Sequence, residues 1–173
     1  VHSDLPRVGH ASVANVRAQG INTSSTADVI NRINSATVFA QRSQLWSIPT
    51  DCPQREKRGW MGDAHMSSNG LMFNFDTLQF HGNFLRSIRD DQLKTCQTTP
   101  RTTRNHPCVD QFPGQTVGAV PDVTPYSTSP YGAFPGSPVW QSAYVVIARN
   151  LWRHYGTSAL PILQEIYEGL QAF

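Results

Sequence analysis

The chain has 173 residues, of which 39% are hydrophobic and 15% charged, with a formal net charge of +2. That is one domain's worth of sequence with no sustained basic run, which excludes a phosphate-tracking nucleic-acid face. No apolar run reaches the roughly 20 residues of a membrane-spanning helix, and no signal peptide is visible.

Val1 to Asn22 lacks a helical period, and Val1-His-Ser-Asp-Leu-Pro6 reads as a strand end followed by a turn. The chain starts on Val1 instead of Met, which points to a processed or partial product. Asn22-Thr23-Ser24 is a glycosylation sequon, making Asn22 a candidate acceptor and supporting a secreted or extracellular protein. From Ser25 the pattern changes. Val29, Ile30, Ile33, Val38 and Phe39 share one helix face, and Ser24 or Ser25 is positioned to cap it. This helix is expected to end near Leu45, because Pro49 and Pro53 follow.

A polar loop is expected from Ser47 to Asp63, then a long helix over 64–93 with a kink or break near Gly82. Residues 96–139 are rich in Pro, Gly, Thr, Ser and Asn. Tyr126, Tyr131 and Phe134 in that stretch argue for an ordered lid or cleft wall over disorder. Cys96 and Cys108 flank its first part, so a disulfide would staple that loop; the other reading is two free thiols. Ser137-Pro138 reads as an N-cap with proline at the first helical position, opening a helix to His154 that Tyr155-Gly156 ends. Thr157 or Ser158 then caps a last helix running to Phe173. Glu165 and Glu168 on that helix read as a solvated face.

The densest chemistry lies in Asp51-Cys-Pro-Gln-Arg-Glu-Lys-Arg-Gly-Trp-Met-Gly-Asp63. It holds three carboxylates, three cations and a tryptophan, punctuated by Pro53, Gly59 and Gly62. Groups of both signs held by turn residues suit a polar ligand. Each also has a plain structural reading: Asp51 as a turn-former, Asp63 as a helix N-cap, Trp60 as core. Cys52 reads as a small packing residue, since no histidine is near enough in sequence to activate a thiol. The six histidines show no ligand spacing, so no metal and no cofactor are expected.

Three segments, in order, resemble the bacterial α-L-rhamnosidases of glycoside hydrolase family 78. They are Val1 to Gly9; Trp46-Ser-Ile-Pro-Thr-Asp-Cys-Pro-Gln-Arg onward to Asp63-Ala64; and Gly118-Ala-Val-Pro-Asp-Val-Thr-Pro125 with Val139-Trp140 and Tyr155-Gly156. The middle segment is the most specific. The resemblance implies an all-α fold, a partial (α/α)6 barrel of about four helices with long ordered loops. Residues 1–22 would be a strand-like linker from a preceding β-sandwich domain, and 23–173 the N-terminal part of the catalytic barrel. A full barrel needs on the order of 300 residues, beyond one small core. Isolated, such a piece would leave inner helix faces exposed as an apolar patch.

The resemblance further implies inverting hydrolysis of terminal α-L-rhamnosides. One carboxylic acid protonates the leaving oxygen, and a second carboxylate roughly 6.5–9.5 Å away activates water. Counting back from Gly59-Trp60 puts Glu56 at the acid position, although many members carry one more residue here and a forward count from Asp51 lands on Lys57. Asp51, Arg55 and Asp63 match sugar-hydroxyl ligands, and Trp60 offers an apolar wall for the ring or its methyl group. Trp140 matches a further cleft tryptophan, although an Asp often found two residues later is Ser142 here. None of the twelve acids matches the general base. The expected partners are therefore a rhamnose-containing glycoside or polysaccharide and the remainder of the barrel. The other functional reading is a catalytically silent relative that keeps the fold for carbohydrate binding or structure.

Overall fold

The computed structural model describes residues 24–94, 120–125 and 137–171. The elements are α1 (Ser24–Gln44), α2 (Met61–Asn74), α3 (Leu78–Lys94), the single turn α4 (Pro138–Gln141), α5 (Ala143–Tyr155), a 3₁₀ turn (Gly156–Ala159) and α6 (Leu160–Gln171). Among the described residues there is no strand, only the isolated bridges Leu45–Pro49 and Trp60–Val123. The all-α expectation therefore holds. Asn22, Cys96 and Cys108 lie outside the described residues, as does the linker expected over 1–22.

The core is built by α2, α3, α5 and α6. Tyr144, Ile147 and Leu151 recur at helical spacing on α5 and meet Met61, Ala64 and Met72 of α2. Phe84, Leu85 and Ile88 of α3 close the cluster with Ile162 and Ile166 of α6. Each such side chain, removed from water, contributes about 1.5–3 kcal/mol. Glu165, expected on a solvated face, instead bridges α6 to α3: Arg86 Nε lies 2.9 Å from its Oε2. Both groups are more than a third exposed, so the pair contributes at most about 1 kcal/mol.

Three helix boundaries differ from expectation. The 64–93 helix is two helices, broken at Phe75–Thr77 and continuous through Gly82. Phe75 is extended (φ −138°, ψ 149°) while its N–H still reaches Leu71 O, and the Thr77 N–H donates to the Tyr155 hydroxyl at 2.7 Å. That long-range tie holds the break, and Asp76 Oδ1 accepts the Leu78 N–H at 3.4 Å where α3 begins. Gly82 is a packing site, since a Cβ there would stand 2.6 Å from Ile162 Cδ1. The 138–154 helix is interrupted at Ser142, giving α4 and α5, although Ser137 caps it and Pro138 leads it as expected. Thr157 and Ser158 lie within the 3₁₀ turn after Gly156, whose φ of +53° ends α5.

Helix α1 forms where its periodicity places it, but its apolar face is not buried. Val29, Ile30, Ile33 and Phe39 are all more than half exposed. A hydrogen bond from Asn74 Nδ2 to Gln41 Oε1 (2.6 Å) ties α1 to α2.

Candidate active site

The thirteen-residue polar segment forms a closed loop leading into α2. Asp51 closes it twice: its N–H donates to Arg58 O (3.0 Å), and its Oδ1 accepts the Arg58 N–H (2.9 Å). Within the loop, Cys52 O accepts from the N–H groups of Arg55 and Lys57 at 3.1 and 3.3 Å. Lys57 completes the turn in the left-handed region, with φ at 56°. The chain then runs extended beside Val120–Pro125. Thr124 N–H donates to Gly59 O (2.9 Å), and Met61 N–H donates to Asp122 O (2.8 Å). Only glycine fits at position 59, because a Cβ there would sit 1.9 Å from Thr124 O.

Helix α2 begins at Met61, with Trp60 at the N-cap and no side-chain cap. Asp63 is thus not the N-cap; it lies in the first turn, where the helix dipole favours its charge. Asp63 is exposed, yet partial desolvation pushes its carboxyl up, against the pull of its own backbone N–H. The charges of Asp51 and Glu56 push it further, and His65 opposes them. Asp63 therefore senses the other two carboxylates of the loop.

Glu56 is exposed at the loop's outer turn, and its Oε2 accepts a hydrogen bond from Trp60 Nε1 at 2.9 Å. Its backbone N–H donates to Cys52 Sγ at 3.2 Å. The Cys52 thiol in turn donates to Asp51 Oδ2 at 2.7 Å. Cys52 is consequently a polar tie between two carboxylate-bearing residues, not the packing residue its neighbourhood in sequence indicates. Burial would raise the Asp51 carboxyl, but hydrogen bonds from the Cys52 thiol, from the Arg58 and Cys52 N–H groups and from its own N–H together hold it low.

Of the other expected site residues, Arg55 is exposed on the same loop and Trp60 is half-buried. Trp140 arrives from α4 and lays its indole over Gly62, where a Cβ would approach Cε2 to 2.9 Å. It thereby joins the first turn of α2, beside Asp63, while packing on the core. Asp51, Glu56, Trp60, Asp63 and Trp140 thus gather around the N-terminal end of α2, while Arg55 shares only the loop backbone. Asp51, Cys52 and Glu56 also bring donor atoms within 4.8 Å of one another, a spacing a metal ion could span. Sequence reasoning missed that grouping because it searched for histidine pairs. Here Asp51 and Cys52 are adjacent in sequence, and the turn returns Glu56 to them.

Two structural contributors were not singled out in the sequence. Asp122 accepts the Ser137 N–H at 2.7 Å, joining the extended segment to the start of α4. Burial raises its carboxyl, partly offset by bonds from the Ser137 N–H and side chain. Gln141 Nε2 adds a bond to Val120 O at 3.0 Å. Asp122 stands in the Val-Pro-Asp-Val-Thr run, and an Asp behind a proline ahead of Ser137-Pro138 was the available signal.

Residues 18–173 match the family model described as the bacterial α-L-rhamnosidase six-hairpin glycosidase domain. An α-L-rhamnosidase of Formosa agariphila is 38% identical over 85 residues, which cover 49% of this chain and 9% of that protein. An α-L-rhamnosidase of an Alteromonas species is 33% identical over 87 residues, 47% of this chain and 10% of that protein. The solved structure of an α-L-rhamnosidase from Dictyoglumus thermophilum superposes with a TM-score of 0.60 at 38% identity, covering 83% of this chain and 13% of that one. The chain spans about a tenth of the length of the curated relatives it matches. With the helical architecture, these likenesses identify the fold as part of an (α/α)6 helical barrel.

Proposed function

The chain belongs to the bacterial α-L-rhamnosidase six-hairpin glycosidase family, and from that premise we propose that it supplies the acid half of an inverting α-L-rhamnosidase site. The observation that carries this reading is the loop 51–63. It brings Glu56 within hydrogen-bond reach of Trp60 and gathers Asp51 and Asp63 around them.

In this reading Glu56 protonates the glycosidic oxygen as the C1–O bond breaks. A water attacks C1 from the opposite face and gives its proton to a carboxylate base. Asp51 and Asp63 accept hydrogen bonds from vicinal sugar hydroxyls, and Arg55 donates to them. Trp60 and Trp140 wall the ring. The base comes from polypeptide outside these 173 residues, which also completes the barrel and covers the open face of α1. The isolated chain then turns over rhamnosides very poorly.

The decisive experiment follows the anomeric proton of released L-rhamnose by NMR during hydrolysis of an aryl α-L-rhamnoside by the complete protein. First appearance of the β anomer is expected. First appearance of the α anomer, or no release at all, would sink the proposal.

A further inference from the structure

We propose that Trp60 is a positioning residue for the acid: its indole N–H holds Glu56 Oε2 and leaves Oε1 to carry the proton transferred to the leaving group. This rests on the acid role proposed above for Glu56 and adds which oxygen acts and what orients it.

A hydrogen bond of 2.9 Å from Nε1 to Oε2 is close to the preferred length for an N–H donor. An indole N–H can only donate, so Oε2 must accept in either protonation state of the carboxyl group. When Glu56 is protonated, a carbonyl oxygen accepts better than a hydroxyl oxygen, so the indole N–H favours Oε2 as the carbonyl and the proton on Oε1. After that proton moves to the glycosidic oxygen, the same N–H remains on the new carboxylate and stabilises the charge left behind. The indole N–H itself is neither lost nor transferred.

The contact is not an accident of helical spacing, because residues 56–59 lie outside any helix. The left-handed turn at Lys57 and the pairing of Gly59 with Thr124 bring the indole back over Glu56. At its other end Glu56 is held by its backbone N–H on Cys52 Sγ. An otherwise exposed carboxyl group is thus fixed at both backbone and side chain, and its free oxygen has a defined direction. Orientation of this kind is worth roughly tenfold to a hundredfold in rate when lost.

A stacking wall and an acid-positioning donor make different demands on the leaving group. Rhamnosides with a strongly acidic leaving group, such as 2,4-dinitrophenol, scarcely need protonation, whereas alkyl rhamnosides depend on it. The test uses the complete protein with Trp60 replaced by β-(3-benzothienyl)alanine, which keeps the ring shape and lacks the N–H. The expected result is a fall in kcat of about tenfold on an alkyl α-L-rhamnoside, with the dinitrophenyl substrate within about threefold and KM nearly unchanged. An equal fall on both substrates, or no fall on either, would overturn the proposal. Glu56→Gln is run beside it. Undiminished alkyl-rhamnoside turnover in that variant removes the acid reading itself. Lost turnover there, with a fully active benzothienyl protein, removes the positioning role alone.

Discussion

The four-helix core and the loop at 51–63 are held by opposite means. In the core, Phe84, Leu85, Ile88, Ile147 and Leu151 are fully buried, and stability comes from apolar area. In the loop, Arg55 and Glu56 are exposed, and shape comes from hydrogen bonds through Asp51, Cys52 and Trp60. There polar ties replace packing, and Asp51, half-buried, is held by hydrogen bonds and not by apolar contact. The two regions meet where Gly59 presses on Thr124 and Gly62 on Trp140. Changes in the core should therefore act on stability, and changes in the loop on chemistry.

The largest stability effect is expected from Phe84→Ala. It removes a fully buried ring between α3 and its neighbours and should cost about 3–5 kcal/mol in urea denaturation. A cost below about 1 kcal/mol would break the division, because the core would then not be where the stability lies.

His81 should make the core sensitive to acid. It is fully buried on α3, with Nδ1 against Thr77 O at 3.3 Å, and burial pulls its pKa down to about 4 from 6.5. Between those values the unfolded chain binds a proton that the folded chain refuses, so stability falls as pH drops from 6.5 toward 4. The integrated loss is roughly 3 kcal/mol at most, and His81→Leu should flatten that part of the pH–stability curve. An unchanged slope in the variant would assign the acid sensitivity elsewhere. Asp51 is held low, so its contribution is present above the ordinary carboxylate range and is lost only at more acidic pH.

Gly82→Ala should cost about 1–3 kcal/mol through the clash with Ile162. Ile162→Val in the same chain should recover part of it; no recovery would mean that the clash is not with that side chain. The smallest effect is expected in the loop. Lys57→Gly relieves a left-handed backbone worth about 1 kcal/mol, so denaturation should shift by less than that in the stabilising direction. A large destabilisation would mean the Lys57 side chain, which lies over Trp46 at 5.6 Å, holds the loop.

Helix ends were legible where a local signal marks them: the Ser137-Pro138 start and the stop at Tyr155-Gly156 both read correctly. The break at Phe75–Thr77 was not legible, because it depends on the Tyr155 hydroxyl 78 residues away. Gly82 misled because its local helix cost was visible while its contact with Ile162 was not. The apolar face of α1 was read correctly as a helix face, but periodicity says nothing about what covers it. In the loop, residue types pointed to a polar site. The ties through the Cys52 thiol and the Trp60 indole arise from a left-handed turn at a lysine, which no composition rule signals.

On the proposed reading, the loop carries the acid of the reaction and the core only holds it in place. Glu56→Gln in the complete protein tests it most directly, with turnover of an alkyl α-L-rhamnoside, L-rhamnose affinity and thermal stability measured on one preparation. Turnover should fall roughly a hundredfold or more, with affinity and melting temperature nearly unchanged. Turnover within a few-fold of the parent protein would contradict it.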